Sequence, residues 1–167
     1  MQKTDFAQFY SENVDRVYRF VYFRVGRDHE LAEDLVSEIF MKALKHFAKY
    51  DPEQSKSAWL YTIARNHLSN YYRDRKEEID LEEISFAYIG EKGGIPIEKR
   101  EAELEVEKAL QHLEADDRRL VTMKHLEGYS YKDMAEILGR SADALKVATH
   151  RAVQKMKAAM ASVQRQT

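Results

Sequence analysis

An all-α chain of two small helical domains joined by a flexible acidic linker is what this sequence predicts, on three observations. Its 167 residues include only 2 prolines and 6 glycines, so turn punctuation is sparse and good helix formers dominate. Apolar residues recur at three- and four-residue steps in stretch after stretch. That period fails between Glu77 and about Arg100, where Gly90, Gly93, Gly94 and Pro96 fall. The chain therefore divides into residues 1–76, a linker over 77–101 and residues 102–167.

The first helix is carried by Tyr10, Val14, Val17, Tyr18, Val21 and Val25 and ends near Gly26. A second runs from His29 to about Phe47, with Leu31, Leu35, Ile39, Phe40, Ala43, Leu44 and Phe47 in helical period and Glu33, Asp34, Ser37, Glu38 and Lys42 largely elsewhere on its circumference. Residues 50–57 read as a loop, because Pro52 disfavours helix before it and Ser and Asp compete for backbone hydrogen bonds. Ser55 or Ser57 then caps a third helix, on which Leu60, Ile63, Ala64, Leu68 and Tyr71 or Tyr72 form the apolar stripe. Beyond the linker, periodicity resumes at Ala102 and predicts four short helices, the last from about Asp143 to Ser162.

Composition excludes several classes. No apolar run approaches the roughly 18 residues that cross a bilayer, and the amino-terminal stretch lacks the apolar centre of a secretory signal. A soluble, cytoplasmic protein is the expectation. The absence of cysteine removes disulfide scaffolds and thiolate metal sites. His29-Glu30 opens like a zinc-protease helix, but Glu33 stands at the second ligand position. No cofactor, metal site or catalytic constellation is expected, so the chain reads as a binding protein and not an enzyme.

The net charge of −2 conceals a segregation. Residues 1–75 carry 12 basic and 11 acidic groups, 76–107 carry 4 and 11, and 108–167 carry 11 and 7. Positive charge concentrates in 56–76 (Lys56, Arg65, Arg73, Arg75 and Lys76 against Asp74) and in 140–167, where six basic groups face Asp143 alone. These stretches are either solvated helix faces or two contacts with a polyanion.

Two motifs favour the polyanion. The segment SYKDMAEILGRSADALKVATHRAVQKMK fits a helix-turn-helix: Ala135 permits a close helix crossing, Gly139 suits the turn, and Leu145 and Ala148 point inward. Its second helix would present Arg140, Ser141, Ala144, Lys146, Thr149 and His150 to a major groove, with Arg151 and Lys155 on phosphates. An ordinary helical hairpin shares this pattern. The third helix of the first half offers Trp59, Tyr61, Tyr71 and Tyr72 as ring faces, with Arg65, Asn66, Asn70, Arg73 and Arg75 for base edges and phosphates, which are the needs of single-stranded DNA. Trp59 and half the tyrosines fit equally well as core.

The ordered run of FYSENVDRVYRFVYFRV, AEDLVSEIFMKALKHF, SAWLYTIARNHLSNYYRDR, an acidic linker and ALQHLEADDRRLVTMKHLEGYSYKDMAEILGRSADALKVATHRAVQKMK resembles the extracytoplasmic-function group of bacterial RNA polymerase sigma factors, within the sigma-70 family. The resemblance implies a region-two-like domain over 1–76 and a region-four-like domain over 102–167. It implies that Asp34, Leu35, Ser37, Glu38, Phe40 and Lys42 grip the polymerase clamp. It implies that the loop from Tyr50 through Lys56 to Ser57 captures a flipped base of the promoter minus-ten element, with Trp59, Asn66, Asn70, Tyr72 and Arg73 behind it. Arg140, Ser141, Lys146, His150 and Arg151 would read the minus-thirty-five element. Implied partners are core RNA polymerase, promoter DNA and a cognate anti-sigma factor. The sequence departs from the family pattern at Ser37, Glu114-Ala115, Asp133, Asp143-Ala144-Leu145 and Ala148. An autonomous two-domain helix-turn-helix regulator is the alternative, though no dimerising heptad supports it.

Overall fold

Gly26 and Arg27 both adopt left-handed backbone, with φ of 63° and 62°, and this turn separates the first two helices in the computed structural model. The structure describes residues 3–78, 81 and 97–166. Helix α1 spans Lys3–Tyr22 and α2 spans His29–His46. Asp28 caps α2, its side chain accepting from Leu31 N–H at 3.1 Å. One 3₁₀ turn, Phe47–Lys49, closes it. Helix α3, Lys56–Asp74, starts at Ser55, whose hydroxyl accepts from Ala58 N–H at 3.2 Å. Of the two serines expected to cap, Ser55 does so.

Helix α4 covers Ile97–Gln111, so it begins five residues before the expected resumption at Ala102. Its first part, IEKREAEL, lacks an apolar stripe but is rich in strong helix formers, and propensity rather than amphipathicity extends it. Helix α5, Ala115–Val121, continues through one π turn, Thr122–Leu126. Helix α6, Tyr131–Leu138, ends at Gly139, whose φ of +64° lets its N–H reach the Ala135 carbonyl at 2.9 Å. Helix α7 spans Ala142–Gln164. No strand occurs among the described residues. The expected linker residues Asp80, Glu82, Glu83, Gly90, Gly93, Gly94 and Pro96 lie outside the described residues.

Helices α1, α2 and α3 pack around Phe9, Phe20, Ile39, Leu60 and Leu68, all fully buried. Helix α7 runs against α4, α5 and α6 around Leu110, Leu113, Val121 and Ala152. The two halves also share a core: Leu120, Met123, Tyr129, Met134 and Leu145 belong to the same buried cluster as the first three helices. At this seam the Tyr61 and Tyr129 rings meet edge to face with centroids 5.9 Å apart. Beside it Arg24 and Glu127 form an ion pair at 2.5 Å, their side chains only 4% and 0% exposed.

Candidate polymerase and nucleic-acid interfaces

At 100° per residue, Asp34, Ser37, Met41 and Leu44 fall on the side of α2 opposite Ile39, and all four are exposed. Met41 and Leu44 expose 58% and 49% of their surface. This mixed apolar and acidic stripe is the free face of the helix. Glu38 and Lys42 flank it. His67 of α3, itself buried, sits beneath both: its Nε2–H donates to Glu38 Oε2 at 2.7 Å and its Nδ1 accepts from Lys42 Nζ at 2.8 Å. Those partners require a neutral imidazole carrying its proton on Nε2.

Leu35 and Phe40, expected on this face, are instead core residues only 3% and 4% exposed. They share the apolar stripe of Ala32, Val36 and Ile39, so they support the helix and have no surface to offer. Sequence reasoning missed Met41 and His67. Helical phase alone could have found Met41, but nothing local marks His67.

The loop after α2 is a built turn. Asp51 Oδ1 accepts from Glu53 N–H at 2.9 Å, the Asp51 carbonyl accepts from Gln54 N–H at 3.0 Å, and Tyr50 OH donates to the Gln54 carbonyl. Tyr50 stacks on Phe47 and is 7% exposed. It is therefore a pillar of the loop and not a free contact residue. Trp59 is half-buried among Phe9, Phe47 and Tyr50. Tyr72 is buried as well, its OH donating to the Arg24 carbonyl. Loss of solvent, with Tyr71 and Glu77 nearby, pushes that phenol up to about 12, so it remains a donor to that carbonyl.

What α3 does expose is a polar edge at helical spacing: Thr62, Asn66, Ser69 and Arg73, with Lys56 at its start. The Arg73 side chain is 73% exposed. Arg65 and Asn70 are half-buried beside this edge, and Ser57 accepts from Arg16 Nη1 at 2.6 Å. Arg75 lies over the Tyr71 ring at 3.6 Å. Thr62 and Ser69 were not foreseen.

In the second half, α6 and α7 form the helix-turn-helix. Ala135, Leu145 and Ala148 pack inward, and Ser141 caps α7 by accepting from Ala144 N–H at 3.2 Å. Ala144, Lys146, Val147, His150 and Arg151 are exposed on one side of α7. Thr149 is 1% exposed and faces the core, which removes it from the expected reading face. Arg140 donates to both oxygens of Asp116 at 3.0 and 3.2 Å, and Lys155 to Asp117 at 2.6 Å. The hydrogen bond to Asp117, and then its charge, raises the Lys155 pKa and keeps it cationic. Lys146, Val147, His150 and Arg151 line a shallow cavity of about 530 Å³ with His125 and Tyr131.

Two helical halves, the second carrying a helix-turn-helix, match the architecture of a sigma-70-type transcription factor region by region. The family description "Sigma-70 region 2" matches residues 9–78, and "Sigma-70, region 4" matches 103–156. The chain is 31% identical over 155 residues to the ECF RNA polymerase sigma factor SigM of Bacillus subtilis, covering 90% of this chain and 92% of that protein. It is 29% identical over 152 residues to the ECF RNA polymerase sigma factor BldN of Streptomyces coelicolor, covering 89% of this chain but spanning only 57% of that relative. The sigma factor RpoE of Bartonella quintana, solved with the anti-sigma factor NepR, superimposes with a TM-score of 0.59 at 26% identity, over 94% of this chain and 97% of that one. CnrH, solved with the cytosolic domain of CnrY, shares the fold with a TM-score of 0.60 at 21% identity, over 96% and 90%. The chain belongs to the extracytoplasmic-function RNA polymerase sigma factors. That membership displaces the reading as a free-standing regulator. No helix among the described residues is long and apolar enough to cross a membrane.

Proposed function

We propose that this chain is the promoter-specificity subunit of a bacterial RNA polymerase, acting in the cytoplasm by binding and not as an enzyme. The observation that carries the reading is the pairing, within one three-helix body, of the α2 stripe Asp34, Ser37, Met41 and Leu44 with the α3 edge Asn66 to Arg73. The first face docks on core polymerase, Glu38 and Lys42 being held in place by His67. The second, with the 50–57 loop at its head, takes the unpaired minus-ten strand. Stacking and hydrogen bonding to exposed bases stabilise the melted state without ATP, since unstacking costs only a few kcal/mol. The exposed residues of α7 read the minus-thirty-five element, and residues 1–76 and 102–167 act as the two promoter-binding domains. A cognate anti-sigma factor is a further partner, supported by the complex with the anti-sigma factor NepR in which RpoE was solved.

Size-exclusion chromatography with sigma-free core polymerase tests the reading, and one-to-one co-elution is the expected result. Asp34→Arg reverses a charge on the exposed stripe and should abolish co-elution at moderate salt while leaving the melting temperature unchanged. Normal assembly of this variant would move the clamp contact off α2. Arg151→Ala should weaken promoter binding on every sequence and reduce the slope of log affinity against log salt by about 1, as loss of one phosphate contact does. A changed base preference would make Arg151 a base reader.

A further inference from the structure

Helix α7 turns its buried residues Leu145, Thr149 and Ala152 to one side. At 100° per residue the opposite side is centred on a line of Asp143, Val147 and Gln154, all exposed. Lys146 and His150 flank that line on one edge, and Arg151 and Lys155 on the other. The basic edges suit the phosphates that border a major groove. Two residues of the central line do not. Val147 is 52% exposed and carries no polar side-chain atom. Asp143 is the one acidic residue of 140–167, among six basic ones. Asp116 and Asp117 accept from Arg140 and Lys155, whereas Asp143 makes no ion pair among the described residues.

A carboxylate and an isopropyl group at the centre of a basic face weaken attraction to phosphate, yet each has a complement on base edges. Guanine and thymine present acceptors that repel a carboxylate, and the adenine amine sits beside the N7 acceptor; the cytosine amine is a donor free of that neighbour. The methyl group on the major-groove floor is that of thymine C5. We propose that Asp143 and Val147 form a paired base-reading element: the Asp143 carboxylate accepts from a cytosine N4–H, and Val147 packs on a thymine methyl nearby. This rests on the function proposed above, in which α7 reads the upstream promoter box. Four residues of helix rise about 6 Å, so the two bases lie one or two steps of about 3.4 Å apart. Branching at Cβ keeps the Val147 side chain in few rotamers, which favours one fixed contact.

Holoenzyme assembled from core polymerase and the full chain is used to select from a duplex library randomised over one promoter length. Selected sequences are then remade with deoxyuridine for thymine, which removes the 5-methyl group and leaves the hydrogen-bonding edge intact. Selection by the wild type should fix a cytosine and a thymine one or two steps apart. Uracil at that thymine should weaken wild-type binding about fivefold and leave binding by Val147→Ala unchanged. Asp143→Asn should move the cytosine preference to adenine, whose N6 donor and N7 acceptor match a side-chain amide. An equal uracil penalty in wild type and Val147→Ala would overturn the pair and leave the proposed function standing. An unchanged base preference in Asp143→Asn, with a lowered melting temperature, would assign Asp143 to the helix dipole and also overturn it. If wild-type holoenzyme selects no sequence at all, the proposed function fails first and the base-reading pair with it.

Discussion

Glu127→Ala is expected to pull the two halves apart without unfolding either. Arg24 is 5% exposed, donates to the Phe20 and Leu81 carbonyls at 2.9 and 2.7 Å, and lies over the Phe20 ring at 3.9 Å. Glu127 is its sole counter-ion in the described structure, and Glu127 Oε2 is buried with no hydrogen bond among the described residues. Breaking such a pair by removing one partner costs about 3–5 kcal/mol when the other charge must stay buried. Here the chain has an alternative: opening the seam returns Arg24 to water and gives up only the contacts between the halves. The variant should therefore show a larger radius of gyration by small-angle scattering and two separated melting transitions where the wild type shows one. Replacing both partners, Arg24→Met with Glu127→Leu, should restore a closed chain, because apolar residues of similar volume lose no buried charge. A Glu127→Ala variant with wild-type dimensions and melting would mean that the apolar seam alone holds the halves.

Asn66→Ala combined with Arg73→Ala should reduce open-complex formation by on the order of 100-fold, while core binding and stability stay at wild-type levels. Both side chains are exposed on α3, so their removal leaves no cavity, and Asp74, which pairs with Arg73 at 3.8 Å, is itself solvated. If each contributes one charge-assisted or bidentate contact to the unpaired strand, the combined loss is about 2–4 kcal/mol. Permanganate reactivity of promoter thymines, on any promoter that the wild-type holoenzyme opens, measures the effect directly. Reactivity equal to wild type would remove the α3 edge from strand capture and leave the 50–57 loop as the candidate.

Much of the fold was legible because its signals are local. The apolar steps of α1, α2 and α3, the Ser55 cap and the Gly139 turn each depend on residues within a few positions of one another. The start of α4 was not legible, since Ile97 opens a charged run whose helicity has no stripe to reveal it. Of the side chains expected on the candidate binding faces, some are exposed and others are buried. Leu35 and Phe40 already stood in the apolar period of α2, and their burial follows that period against the role that resemblance implied. Tyr50, Tyr72 and Thr149 fell the same way: side chains of a type able to bind DNA are packed beneath the backbone from which Lys56, Asn66, Arg73 and Lys146 project into solvent.

By itself the sequence determined two helical halves, a helix-turn-helix, an acidic break between them and membership of a transcription-factor family. Only the tertiary structure decided that Arg24 pairs with Glu127, Ser55 with Asp133 and Glu136, and His67 with Glu38 and Lys42. These partners lie 103, 78 and 81, and 29 and 25 positions apart in the chain. Helical period and capping act over a single turn, whereas 27 basic and 29 acidic residues offer many possible pairings. Close packing of the two halves selects among them, because a charge taken out of water is tolerated only where its partner is buried with it.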